Sequence, residues 1–156
     1  MEKEQRIKKE IKMKTIVNNK KAYFNYQIDT KYICGLRIKG TEIKSIRQGD
    51  CSIKESFCFI KDGEMYIKNM YIKKYKFGSN NNHEEVHDRK LLLTKNEIKK
   101  IDKKVMEKGN SIVPLRVLIV DGWAKLEIGI GKGKKTYDKR AKIKSDDIKR
   151  DIERNG

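Results

Sequence analysis

The sequence predicts a mainly β protein: a small, closed or partly closed antiparallel barrel with two helices, flanked by charged arms. Three observations carry this reading. Apolar residues alternate with polar ones in runs of strand length. Two Asp-Gly dipeptides, Asp62-Gly63 and Asp121-Gly122, sit between such runs, and both residue types tolerate the positive φ of a type I′ hairpin turn. The apolar and aromatic residues are concentrated between positions 22 and 131. Roughly six strands in hairpins then bury one face by curling into a barrel.

Element by element, Ala22 to Asp29 and Tyr32 to Lys39 read as two strands. Phe57 to Ile60 and Met65 to Ile72 form the first hairpin, Leu115 to Val120 and Trp123 to Ile130 the second. One helix spans Thr41 to Arg47, with Ile43 and Ile46 inward and Gly49 ending it. A second follows the Thr94-x-x-Glu97 capping box, with Ile98, Ile101 and Val105 at helical spacing and Gly109 beyond its end. Leu91 to Leu93, just before that cap, packs on the barrel.

Charge subdivides the chain. The 156 residues carry 39 Lys and Arg against 22 Asp and Glu, a net charge of +17. Such an excess points to a polyanion, because each phosphate neutralised by a cation releases condensed counterions. Residues 1–21 hold 8 basic and 3 acidic side chains, and residues 132–142 hold 6 and 1. Three units result: a charged N-terminal arm over 1–17, a globular barrel over 18–133 and a basic tail over 134–156, with nucleic acid and an acidic membrane surface both open as the polyanion. In the tail, Ser145 is a candidate N-cap, Ile148 and Ile152 share a face, and Asp146 pairs with Arg150. So narrow an apolar stripe cannot hold a helix alone, so the tail is expected to be disordered in isolation and helical on a partner.

Chemistry is harder to find than charge. His83-Glu84-Glu85-Val86-His87 matches the zinc pattern H-E-x-x-H, which requires a stable helix to bring both imidazoles to one face. The segment follows Ser79 and three asparagines and has one apolar residue, so it reads as a solvated loop and no metal site is assigned. Gly129, Gly131 and Gly133 lack the register of a phosphate-binding loop; they read as the end of the last strand, where backbone can approach RNA closely. Cys34, Cys51 and Cys58 have no ligand spacing and read as reduced, buried thiols. No nucleophile–base arrangement is legible, so neither a catalytic residue nor a cofactor is assigned, and an enzyme is not expected. Eight rings (Tyr23, Phe24, Tyr26, Tyr32, Phe57, Tyr66, Tyr71 and Trp123) are stacking candidates, most of them expected in the core. The charged N-terminus has no secretory pattern and no apolar run is long enough to span a bilayer, so the expected location is cytoplasmic.

Four segments in order carry a resemblance. They are Asn19-Lys20-Lys21-Ala22; Gly35 with Gly40 to Arg47; Arg89-Lys90-Leu91-Leu92-Leu93; and Gly131 to Lys135 followed by Tyr137-Asp138-Lys139-Arg140. Together, over about residues 18–142, the chain resembles the SmpB (SsrA-binding protein) family. The resemblance implies an OB-like barrel with flanking helices that binds the tRNA-like domain of transfer-messenger RNA and carries it to stalled ribosomes for trans-translation. It implies RNA contacts at Asn19, Lys20, Lys21, Arg89, Lys90, Leu91, Lys132, Lys134 and Lys135. The tail, with Tyr137, Asp138, Lys139, Arg140 and Lys142, would enter the small-subunit decoding site and the messenger channel. A monomer, with elongation factor Tu engaged through the shared RNA, completes the expected partners. Three departures stand out. Ile33 occupies an often acidic position, His87-Asp88 replaces the first half of an R-x-R-K run, and Met1 to Lys14 has no counterpart. The competing reading is a general OB-fold RNA-binding or ribosome-associated protein.

Overall fold

The computed structural model describes residues 12–107, 109–134 and 140. In chain order the elements are β1 (Met13–Asn18), α1 (Lys20–Asn25), β2 (Tyr26–Leu36), α2 (Gly40–Arg47), β3 (Cys51–Ser52), β4 (Phe57–Lys61), β5 (Glu64–Lys68), β6 (Tyr71–Ile72), β7 (Arg89–Leu92), α3 (Lys95–Met106), β8 (Asn110–Val120) and β9 (Trp123–Gly133). A short 3-10 turn occupies Ser79–Asn81. Seven strands form one antiparallel sheet in the order β1-β8-β9-β2-β7-β5-β4, and β3 pairs with β6. The sheet curls until β4 lies against β8, with no ladder closing that seam. The result is the partly closed barrel the alternation predicts.

Both Asp-Gly dipeptides make the expected turns. Asp62 and Gly63 have φ of 52° and 75°, and Asp121 and Gly122 have 49° and 85°, the left-handed pair a type I′ turn demands. The capping box is also present: Thr94 Oγ1 accepts from the Glu97 N–H at 3.2 Å, and Glu97 Oε1 accepts from the Thr94 N–H at 3.0 Å. Such a cap contributes about 1 kcal/mol. Ile98 and Ile101 are buried beneath α3.

The core runs through the barrel from Cys34 and Leu36 to Met65, Ile67, Leu91, Leu126 and Ile128. A smaller apolar cluster of Ala22, Val113 and Leu115 fixes α1 to β8. The three thiols are unbridged. Burial pushes Cys34 up to about 12 and Cys51 up to about 11, and pushes Cys58 up as well, so none is a ready thiolate.

Three expectations change. Ala22 to Asn25 is helix, not strand, because Ala22 turns into the Val113–Leu115 cluster; one eleven-residue strand, β2, then replaces the two expected. The 17/18 boundary falls inside β1, so residues 13–17, assigned to the arm, belong to the sheet. Strand β8 begins at Asn110 and passes through Pro114, which lies beyond the end of the β1 ladder where no N–H is required of it.

Candidate nucleic-acid interface

The cations of the sequence motifs fall into two groups, at opposite ends of the long β2–β9 ladder. One end is built by α1. There Tyr26 pairs with Gly133 and Gln27 with Lys132, which brings Lys132 and Lys134 to the end of the ladder that α1, with Lys20 and Lys21, leads into. Lys134 is tied down twice: its N–H donates to Asn25 O at 2.8 Å and its ammonium to Tyr23 O at 2.9 Å. Lys31 lies 5.0 Å from the Tyr23 ring centroid, and its interaction with Tyr23 raises its pKa. Lys20, Lys21 and Lys132 are exposed.

Asn19 is the hinge of this end. Its N–H donates to Leu115 O at 2.8 Å and its side-chain amide to Pro114 O at 2.9 Å. One of its two amide hydrogens is thereby held by a strand carbonyl of β8. Its contribution is to fix where the neighbouring lysines point.

The other end is built by α2, β7 and the loop before β7. Arg89 is 1% exposed and donates to Glu42 and to Met70 O. Its remaining N–H groups face the carbonyls of Glu84, Glu85 and His87 at 3.2–3.4 Å. A guanidinium so enclosed cannot meet a phosphate without unfolding its surroundings, so the expected RNA contact at Arg89 is corrected to a structural one. Leu91 is fully buried and is likewise core. Leu92, the middle of the triplet, faces outward at 50% exposure. Lys90 is half-buried and pairs with Glu64 at 3.3 Å.

The His83–His87 segment is no solvated loop. It contains no helix, and it runs alongside β6, with the Ile72 N–H donating to Glu85 O at 2.9 Å. His83 is buried, and both ring nitrogens are engaged, one with Ile72 O at 2.9 Å and the other with Thr41 Oγ1 at 2.9 Å. His87 Nε2 lies 3.2 Å from Glu42 Oε2. The motif therefore locks this loop onto α2, and loss of His83 would strand buried partners at about 1–3 kcal/mol. Burial alone would push the Glu42 carboxyl up. The Lys39 N–H, the Arg89 guanidinium and His87 outweigh it and hold the group below the ordinary value of 4.5.

The glycines also have an internal cause. A Cβ on Gly131 would stand 2.2 Å from Gln27 O, and one on Gly129 would stand 2.8 Å from Ile28 Cγ2. The close approach they permit is between β9 and β2, where a bulge follows Ile28, not between protein and RNA; Gly133 alone borders open space. Of the eight candidate rings, four are exposed: Tyr23 (40%), Phe57, Tyr71 and Trp123 (73%). The rest are half-buried, so more rings reach the surface than strand spacing suggested. Ile33 is also exposed, opposite Glu127 across the ladder. Lys135, Tyr137, Asp138, Lys139 and Lys142 lie outside the described residues, and Arg140 is exposed. Among the described residues, no helix is long and apolar enough to cross a membrane.

The family model described as SmpB protein matches residues 16–156. An SsrA-binding protein of Treponema denticola is 49% identical over 142 residues, spanning 91% of this chain and 92% of that one. An SsrA-binding protein of Bacillus velezensis is 48% identical over 141 residues, 90% of each chain. A solved structure described as "tmRNA-SmpB: a journey to the center of the bacterial ribosome" superposes with a TM-score of 0.64 and 40% identity, over 77% of this chain and 85% of that one. The chain belongs to the SmpB family.

Proposed function

We propose that this protein binds the tRNA-like domain of transfer-messenger RNA through its α1 end and delivers that RNA to stalled ribosomes. One observation carries the reading. Lys20, Lys21, Lys132 and Lys134 gather at the end of the barrel from which the basic tail departs. A single face can thus hold an RNA backbone by charge while residues 135–156 continue into a second partner. The tail, with Tyr137 to Arg140 and Lys142, enters the decoding site and the messenger channel and becomes helical there. The barrel folds as one unit over about residues 18–133, extended by β1, and works as a monomer in the cytoplasm. It acts by positioning rather than by catalysis, and elongation factor Tu joins through the shared RNA. Its SsrA-binding relatives and its likeness to the tmRNA-SmpB complex support this reading.

The test measures RNA binding and peptide tagging side by side. For the full chain, affinity should fall steeply between about 50 and 200 mM salt, as counterion release requires. Truncation after Lys135 should retain transfer-messenger RNA binding and abolish tagging. Tyr137→Ala should show part of the tagging defect, consistent with the loss of a base stack worth roughly 1–3 kcal/mol. A truncated protein that tags normally, or one that no longer binds the RNA, overturns the division of labour. Affinity indifferent to salt would return the protein to the class of general RNA-associated proteins read by other means.

A further inference from the structure

Beside α1 lies a cavity of about 350 Å³ walled by Asn18, Asn19, Lys20, Lys21, Lys54 and Glu55. Lys54 belongs to no motif of the sequence and stands 29 residues past the end of α1 in the chain; only the fold brings it there. A second, shallower recess on the same side shares Asn19, Lys21 and Lys54.

Two features make this more than a patch of surface lysines. Both walls are braced. Asn19 pins the start of α1 to Pro114 and Leu115, and Ala22 is buried below it. On the facing wall, Ile53 is 1% exposed in the core, and Ser56 Oγ donates to Ile53 O at 2.7 Å, closing the turn that presents Lys54. The charge is also uncompensated. Arg89, Lys90 and Arg116 each meet a carboxylate, whereas, among the described residues, Lys61 and Lys68, like the cavity lysines, do not; what sets Lys20, Lys21 and Lys54 apart is that one cavity gathers them. Among the described residues, the ammonium groups of Lys20, Lys21 and Lys54 make no ion pair or hydrogen bond, and Glu55 is the single acid of the wall. Three ammonium groups around one cavity repel each other, and an anion seated between them converts that repulsion into attraction at no cost in loop ordering.

We propose that this cavity seats a backbone phosphate of the bound RNA, with Lys54 as a contact supplied from outside every recognisable motif. The inference rests on the α1 end being the RNA face. Phosphate rather than base is the ligand, because three flexible point charges favour a compact anion and hold no fixed fork to match a base edge.

The experiment titrates the full chain with a tRNA-like-domain fragment across a salt series. Lys54→Gln should lower the salt slope by about one and weaken binding about tenfold near 0.1 M salt, as loss of one phosphate contact requires. Lys54→Arg, which keeps the charge, should stay within about twofold of the parent. Lys61→Gln, which removes the same charge at the β4–β5 turn, should also stay within about twofold. Unchanged affinity and slope in Lys54→Gln overturns the proposal, as does an equal loss in Lys61→Gln, which would mark a general charge effect. A second arm follows backbone amide shifts during titration with an RNA hairpin of arbitrary sequence. Shifts at residues 18–21 and 53–55 are expected, and their absence also overturns the seat. If the parent ignores the tRNA-like fragment while the hairpin shifts those residues, the functional reading falls and the phosphate seat stands.

Discussion

The two ends of the barrel hold similar cations and use them in opposite ways. At the α2 end Arg89 is sealed against Glu42 and a row of carbonyls, His87 adds a second contact to the same carboxylate, and Lys90 is paired with Glu64. At the α1 end Lys20, Lys21 and Lys54 face a cavity with one carboxylate among them. An eleven-residue strand, roughly 35 Å by strand rise, separates the two ends. Residue type does not decide whether a cation braces a fold or waits for a ligand; the neighbours do. Where a buried carboxylate is supplied, the charge is consumed internally. Where none is supplied, the field points outward and an anion is attracted.

Three substitutions break or sharpen that contrast, from the largest expected effect to the smallest. Arg89→Ala leaves Glu42 and several carbonyls buried without their donor, and should cost about 3–5 kcal/mol in urea unfolding. If the variant unfolds like the parent but loses RNA binding, Arg89 belongs to the interface after all.

Glu42→Gln tests the same cluster by pH. A carboxyl held below its ordinary value of 4.5 contributes stability that is present above that value and is lost as pH falls through the depressed one. At neutral pH the variant should be about 1–3 kcal/mol less stable than the parent. That gap should narrow as pH drops below about 4.5, where the parent's carboxylate takes up its proton. A gap that stays constant down the acid limb would mean the carboxylate is not what holds Arg89.

The smallest effect comes from a matched pair. Lys90→Gln breaks a half-exposed ion pair worth about 0–1 kcal/mol and should leave the salt slope of RNA binding unaltered. Lys134→Gln should leave stability within about 0.5 kcal/mol and lower that slope by about one. Reversed slopes would exchange the roles of the two ends.

The sequence by itself determined the hairpins, α3 and the net charge, because each depends on residues near one another in the chain. Asp62-Gly63 and Asp121-Gly122 force their turns by backbone sterics, and Thr94 with Glu97 caps α3 within a single turn. The ordered motifs around Asn19, Arg47, Lys90 and Lys134 were enough to suggest the family. Only the tertiary structure decided which motif residues meet solvent. Arg89 reads as an exposed cation until Glu42, forty-seven residues away, is placed beside it. His83 reads as a loop residue until Thr41 and the Ile72 carbonyl reach its two nitrogens. Ala22 to Asn25 alternates like a strand, yet the Val113–Leu115 patch draws Ala22 inward and coils the segment into α1. Lys54 carries no local signal at all. In each case the deciding partner is distant in sequence, and burial, ion pairing and cavity shape are properties of that partnership, not of either residue alone.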